Sequence, residues 1–251
     1  MSIKIIEINN LSHCFASGFQ GLNNINLTVR TGELVVIAGE NGSGKTTLLR
    51  HLNGLLQPTQ GSVKIDGEEV SKNLIRSRQL VGMVFQNADS QIVGETVWDD
   101  VAFGPENLSL DRAEIDKRVN QALKTTQLLD FADKPPHLLS GGEKRRLSLA
   151  AVLAMNPRIL VLDEPFSSLD YPGIKQVLKQ ILFLHKCGHT ILMTTHDIEK
   201  IIAHTQRLIV MKNGKIVLDG PPQNLMTDLE PFGIRTPCAF RMGVPVESWL
   251  N

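Results

Sequence analysis

Short runs of apolar, β-branched residues alternate along this chain with longer stretches whose apolar positions recur at helical spacing. Runs at 4–8, 25–29, 34–38, 62–65, 81–85, 159–162, 190–194, 208–212 and 215–218 predict strands. Stretches at 45–52, 112–129, 143–155, 174–185 and 198–204 predict helices. Ile159-Leu160-Val161-Leu162 is apolar at every position, as expected of a strand covered on both faces. Asn213-Gly214 between two apolar runs predicts a hairpin turn with positive φ at both central residues. The pattern is that of an α/β protein.

The layout is not uniform. The chain is strand-rich to about residue 65, whereas the segment from about 99 to 138 is helical and polar and separates two core-like strands. Gly104-Pro105 and Pro135-Pro136 punctuate its two sides. With the helix that follows, a helical insert is expected over roughly 99–155 of a domain spanning 1–222. After Pro221-Pro222 a short helix and a Pro/Gly-spaced tail are expected, forming a short C-terminal extension over 223–251.

Composition narrows the class of protein. The 26 Lys and Arg residues balance 26 Asp and Glu residues among 251 positions, which removes the electrostatic argument for wholesale binding to nucleic acid or anionic lipid. Cys14, Cys187 and Cys238 are scattered and lack metal-ligand spacing, which fits a reducing compartment. No apolar stretch is long enough to cross a bilayer, and Met1-Ser2-Ile3-Lys4 has no signal-peptide profile. A cytoplasmic chain is expected.

Gly39-Glu40-Asn41-Gly42-Ser43-Gly44-Lys45-Thr46 matches G-x-x-x-x-G-K-[ST], with a strand before it and a helix starting at Lys45. Its glycines let successive N–H groups turn inward onto phosphate oxygens, aided by the helix N-terminus. Lys45 is placed to reach the β- and γ-phosphates, Thr46 to ligate Mg²⁺ and Thr47 to contact the α-phosphate. The 159–162 strand ends in Asp163-Glu164. Ligands of open parallel sheets sit at the carboxyl ends of strands, so Asp163 is expected to orient Mg²⁺ and Glu164 to act as general base on water. Leu139-Ser140-Gly141-Gly142-Glu143 has the Ser-x-x-Glu spacing of a capping box, and it also leaves bare N–H groups at a helix start. It reads either as a well-made helix start or as a second anion site. In the latter case it fits nucleotide held by another subunit. The charge run Glu143-Lys144-Arg145-Arg146 reads as a solvated helix face.

Together these motifs resemble the ATP-binding subunits of ABC transporters, over essentially the whole chain to about Pro222. Leu139–Glu143 is similar to that family's signature loop, with Glu where Gln is more usual. Gln86 resembles the Q-loop glutamine, Ser168-Leu169-Asp170 the D-loop and His196 the switch histidine facing the γ-phosphate. Phe15 stands where an aromatic stacks on adenine, with His13 a competitor for that place. The resemblance implies a phosphate-loop NTPase core with an antiparallel β lobe and an inserted helical subdomain, binding ATP and Mg²⁺ at a dimer interface. It implies catalytic roles for Glu164, His196 and Gln86, and metal contacts from Thr46, Gln86 and Asp163. It places nucleotide contacts at Phe15, Gly39, Asn41, Gly42, Ser43, Gly44, Lys45, Thr46 and Thr47 of one subunit and Ser140, Gly141 and Gly142 of another, in a homo- or heterodimer.

The stretches 84–93 and 96–108 are more narrowly similar to the ATPases of energy-coupling factor transporters, which include cobalt, nickel and vitamin importers. That similarity implies a transmembrane T component, a separate substrate-binding S component and a place at the cytoplasmic face of the membrane. It implies no nucleic-acid partner. The tail at 229–242 resembles that group's C-terminal extension but is shorter. The competing reading is a soluble, non-transport ABC-type ATPase. Such proteins carry two nucleotide domains or a long coiled-coil insertion, and this chain has neither. A small-molecule kinase would leave Leu139–Glu143 and His196 without a purpose.

Overall fold

The computed structural model describes residues 3–250; Met1, Ser2 and Asn251, at the outer limits of the expected domain and extension, lie outside the described residues. The chain opens with strands β1 (Lys4–Cys14) and β2 (Gln20–Arg30), then β3 (Leu34–Ala38) and helix α1 (Lys45–Leu52). Strands β4 (Gln60–Ile65) and β5 (Glu68–Glu69), helix α2 (Leu74–Leu80) and β6 (Val81–Val84) follow. Three helices come next: α3 (Val97–Asn107), α4 (Arg112–Thr126) and α5 (Gly141–Ala154). The remainder is β7 (Ile159–Asp163), α6 (Tyr171–Lys186), β8 (Thr190–Thr195), β9 (Arg207–Lys212), β10 (Lys215–Gly220) and a short α7 (Cys238–Arg241).

Two sheets result. One is antiparallel, in the order β2-β1-β4-β5; the other runs β10-β9-β3-β8-β7-β6, parallel except for the β9–β10 hairpin. The central strands of the second sheet are buried on both faces, and their alternate residues feed different cores. Leu34, Val36, Leu160, Leu162, Ile191 and Met193 meet α6, while Val35, Ile37, Ile159, Val161 and Leu192 meet α1 and the antiparallel sheet. That is why these runs are apolar at every position. A third core joins α3, α4 and α5 through Val97, Val101, Ile115, Val119, Leu123 and Leu147. These three helices leave the sheet after β6 and return it to β7, its parallel neighbour. Asn213 and Gly214 take positive φ as the hairpin requires.

Several elements differ from the sequence pattern. The 4–8 run extends to Cys14 through a bulge at Asn9–Asn10, where the Asn10 N–H donates to Asn26 Oδ1 at 2.9 Å in place of a ladder bond. The helix expected at 198–204 is two 3₁₀ turns, Ile198–Lys200 and Ile202–His204, broken at Ile201. Three-residue turns align residues three apart, so Ile198 and Ile201 both reach the core, with Ile202 beside them. The 112–129 helix stops at Thr126, because Gln127 adopts a left-handed conformation that caps it. Beyond Pro221 the chain forms further 3₁₀ turns, and Val246, Trp249 and Leu250 fold back against the α6 core. Among the described residues, no helix is long and apolar enough to cross a membrane.

Candidate functional site

Parallel strands β3, β8, β7 and β6 end side by side, so the residues that follow them line one edge of the sheet. The glycine loop follows β3, Asp163 ends β7 with Glu164 next, His196 follows β8 and Gln86 follows β6. Placement at the carboxyl ends of adjacent parallel strands is the arrangement in which open α/β sheets bind ligands.

The glycine loop is held in shape from outside. Gly44 has φ 103°, and a Cβ there would stand 2.8 Å from the Gly21 carbonyl. Gly214 of the hairpin donates its N–H to Ser43 O at 2.9 Å and accepts from Asn23 N at 2.8 Å, bracing the loop against the antiparallel lobe. Lys45 is only 7% exposed and arches back to donate to Gly39 O at 2.7 Å and Glu40 O at 3.0 Å. Its Nζ stands 3.9 Å from Glu164 Oε1. Burial pushes the Lys45 ammonium below its ordinary pKa, against the pull of Glu164 and then Asp163.

Asp163 is fixed on both oxygens. Thr46 Oγ1 donates to Oδ2 at 2.8 Å and Thr194 Oγ1 donates to Oδ1 at 2.6 Å. Thr194 Oγ1 in turn accepts from Glu164 N at 3.0 Å. Glu164 has φ 47°, a left-handed conformation uncommon for a residue with a side chain. Its Oε2 lies 3.0 Å from His196 Nδ1. The chemistry on offer is a loop of N–H donors and an ammonium for phosphates, a hydroxyl–carboxylate pair and a second carboxylate oriented by an imidazole.

A cleft of about 360 Å³ collects the glycine loop from Asn41 to Thr47 with Phe15, Gln86 and Glu164. Phe15 lies across Gly21, whose hypothetical Cβ would be 2.6 Å from its ring. His13 is buried behind Phe15, edge-on at 4.6 Å between ring centroids, and is not part of the cleft lining. Sequence reasoning missed Phe19, which is 61% exposed, stacks on Phe15 and lines the same cleft. The available signal was a pair of aromatics four apart across Gly18.

Ser140, Gly141 and Gly142 are not among the residues lining this cleft. They form the first turn of α5 with a complete capping box: Glu143 N donates to Ser140 Oγ at 3.3 Å, and Ser140 N donates to Glu143 Oε2 at 2.7 Å. The Ser140 N–H holds the Glu143 carboxyl below the usual carboxylate range. A Cβ on Gly141 or Gly142 would meet nothing within 4 Å, so their backbone faces open space. The charge run that begins there is not a solvated face. Arg145 and Arg146 are 6% and 8% exposed, because α5 is covered by the chain after β6 and by α6.

Residues 22–167 match the family model described as ABC transporter. The chain belongs to the ABC transporter family. As a member it binds ATP and is an ATPase. It is 44% identical over 90% of its length to the energy-coupling factor transporter ATP-binding protein EcfA of Methanocaldococcus jannaschii, covering 82% of that protein. Among solved structures, cbiO1 from Clostridium perfringens, part of the ABC transporter complex cbiONQ, superposes with a TM-score of 0.83 at 37% identity. That superposition covers 91% of this chain and 92% of cbiO1. The ATP-binding cassette MJ0796, dimeric in a post-hydrolysis state bound to ADP and Pi, gives 0.78 at 30% identity, covering 86% and 98%.

Proposed function

We propose that this chain is the ATP-hydrolysing subunit of an energy-coupling factor importer. It takes Mg-ATP between two ATPase subunits and passes the result of hydrolysis to a transmembrane component. Residues 1–222 would form the ATP-binding domain, with the helical insert at roughly 99–155, and 223–251 its C-terminal extension. The importer reading draws on the name of EcfA, on cbiO1 being part of a transporter complex and on the 84–108 stretch. It places the chain at the cytoplasmic face of a membrane. The T and S components are its partners, the S component selecting a metal ion or vitamin.

One observation carries the reading: a cleft lined by the glycine loop, Lys45, Gln86 and Glu164 stands in one place and an open helix start, Ser140–Gly142, in another. A single chain has no use for both on one nucleotide. Two chains facing each other head to tail do, and the dimeric state of the MJ0796 cassette supports a pairing of two such chains.

Within such a site, N–H groups of the glycine loop and Lys45 hold the phosphates, and Phe15 stacks on adenine. Ser140, Gly141 and Gly142 of the facing subunit close over the outermost phosphate. Thr46 and Asp163, paired at 2.8 Å, are hard oxygen ligands suited to Mg²⁺, which uses few protein ligands when phosphates supply the rest. Gln86 lines the cleft together with Thr46. When bound, Mg²⁺ neutralises charge developing on the phosphate oxygens. Glu164 accepts the proton of the attacking water, and His196, at 3.0 Å from it, keeps that carboxylate aimed and faces the γ-phosphate.

Glu164→Gln tests the assignment. The variant is expected to bind ATP, release no phosphate and sediment as a dimer with ATP. A parent-like rate would overturn it, and a monomer at saturating ATP would rule out a pair of two copies of this chain. Purification from membranes in mild detergent is expected to bring down integral membrane partners. Their absence would leave an ATPase without the importer.

A further inference from the structure

Three consecutive cations at the start of α5 reach three different neighbours. Lys144 Nζ pairs with Asp89 Oδ1 at 2.7 Å, on the loop after β6. Arg146 Nη1 bonds Gln176 Oε1 on α6. Arg145 sits between them and takes three acceptors with its two terminal nitrogens. Nη1 donates to Phe85 O at 2.5 Å, and Nη2 donates to Gln86 O at 2.6 Å and to Ser167 Oγ at 3.2 Å.

This is an unusual place for a guanidinium. Arg145 is buried, and among the described residues it makes no ion pair. A buried cation is costly unless its donors are used; here the two terminal nitrogens are used while Nε is buried without a hydrogen-bond partner, and a lysine could not span two successive carbonyls with a planar fork. The two carbonyls belong to the residues at which the chain leaves edge strand β6, one of them Gln86 itself. Ser167 lies three residues after Glu164 and next to Ser168, where the chain turns left-handed at φ 59°. Arg145 lies three residues after Gly142 on the same helix. One side chain therefore ties together the backbone that carries Gln86, the segment that follows the catalytic carboxylate and the helix start that faces outward. It does not line the nucleotide cleft.

We propose that Arg145 is a positioning residue: it makes the Gln86 loop, the Ser140–Gly142 turn and the 167–169 segment move as one unit. The cleft-facing and partner-facing halves of the site then stay in register while two subunits close. This rests on the two-subunit reading of the site. It adds a coupling that neither the glycine loop nor the acidic strand end supplies.

The test uses the full chain with Arg145→Met and Arg145→Lys, each alone and combined with Glu164→Gln. For Arg145→Met, ATP affinity is expected to stay within about twofold of the parent, because no glycine-loop contact involves Arg145. The kcat is expected to fall about tenfold or more, and the ATP-dependent dimer in the Glu164→Gln background to weaken by a similar factor, the scale of one lost charged hydrogen bond. Amide exchange should speed up at 85–90 and 167–169. Arg145→Lys should fall between the two, with one acceptor reached where the fork takes three. Should Arg145→Met not fold, Arg145→Lys carries the same readouts.

A kcat within twofold of the parent overturns the proposal. So does a loss that matches a fall in the folded fraction while dimer formation is untouched, since that is a merely structural role. A parent that neither hydrolyses ATP nor dimerises as Glu164→Gln removes the pairing of two copies of this chain on which the inference rests, and this inference with it. That failure is visible before any Arg145 variant is made.

Discussion

His196 Nδ1 and Glu164 Oε2 stand 3.0 Å apart, joined across two parallel strand ends rather than along the chain. Glu164 is buried and His196 half exposed, so the imidazole holds the carboxylate from the open side. Replacing His196 with Ala removes that restraint and leaves every glycine-loop contact in place. The expected result is a kcat lower by about 10²–10³-fold, within the range for a misplaced general base, with ATP affinity changed by less than about threefold. Phosphate-release kinetics alongside equilibrium nucleotide binding check the split. An equal loss in both would assign His196 to binding instead.

Phe15 and His13 make a second, separable prediction. Phe15 faces the cleft, while His13 lies behind it and bonds inward toward Gln57 O at 3.1 Å. Phe15→Ala should weaken ATP and ADP alike by about 5- to 30-fold, because stacking on an aromatic contributes on the order of 1–2 kcal/mol whichever phosphates are attached. His13→Ala should instead lower the melting temperature and leave affinity per folded molecule near that of the parent. Titration calorimetry together with thermal denaturation distinguishes the two.

Much of the candidate site's placement was legible in the sequence because few residue types suit a phosphate-binding loop. Only glycine suits Gly44 beside the Gly21 carbonyl, and Asp163 must end a strand to meet Thr46. The buried strands were legible too, since two covered faces force apolar residues at every position. Arg145 was misread as solvated, because its acceptors are main-chain carbonyls at a strand end, and every residue carries a carbonyl. The 198–204 stretch failed for a different reason. Its isoleucine spacing suits one α-helix and two short turns equally, and packing against the α6 core decided between them. The strand past Asn9–Asn10 was hidden because polar residues there end a run of apolar ones without ending the pairing.

Acid should destabilise the protein through His51. Its Nδ1 bonds Thr47 O at 2.8 Å and its Nε2 lies 3.2 Å from His13 Nδ1, a pattern satisfied when His51 is neutral, with Nδ1 donating to the carbonyl and Nε2 accepting. Burial, opposed by the Thr47 carbonyl and reinforced by His13, pushes the His51 pKa below its ordinary value of 6.5. The unfolded chain therefore binds the proton first. Stability is full above about pH 6.5 and declines as pH falls toward the depressed native value, by at most about 1.4 kcal/mol per pH unit for this one proton. Denaturant melts between pH 5 and 8 should show that slope, and His51→Gln should flatten it. An unchanged slope would assign the acid sensitivity to His189 or His204, whose pKa values burial also lowers.

The turn that leads from the Gln86 loop into α3 makes a prediction about coupling rather than chemistry. Asp100 is buried, and its Oδ1 accepts from Val93 N at 2.7 Å and Gly94 N at 3.0 Å, while Thr96 and Asp99 complete a capping box at the start of the helix. Gly94 lies so close that a Cβ would stand 2.2 Å from Asp100 N and 2.5 Å from its Cα, both backbone atoms that cannot swing aside. Gly94→Ala must therefore move the turn or the first turn of α3. Forced repacking of this kind costs about 1–3 kcal/mol, equivalent to a melting temperature lower by roughly 2–10 °C for a chain of this size. No residue of the turn lines the nucleotide cleft, so ATP affinity of the folded variant should equal that of the parent. If the 84–108 stretch is the surface that meets the transmembrane component, co-purification with membrane partners should fall while ATP binding persists. Intact co-purification from a variant whose melting temperature has dropped would place the docking surface elsewhere on the chain.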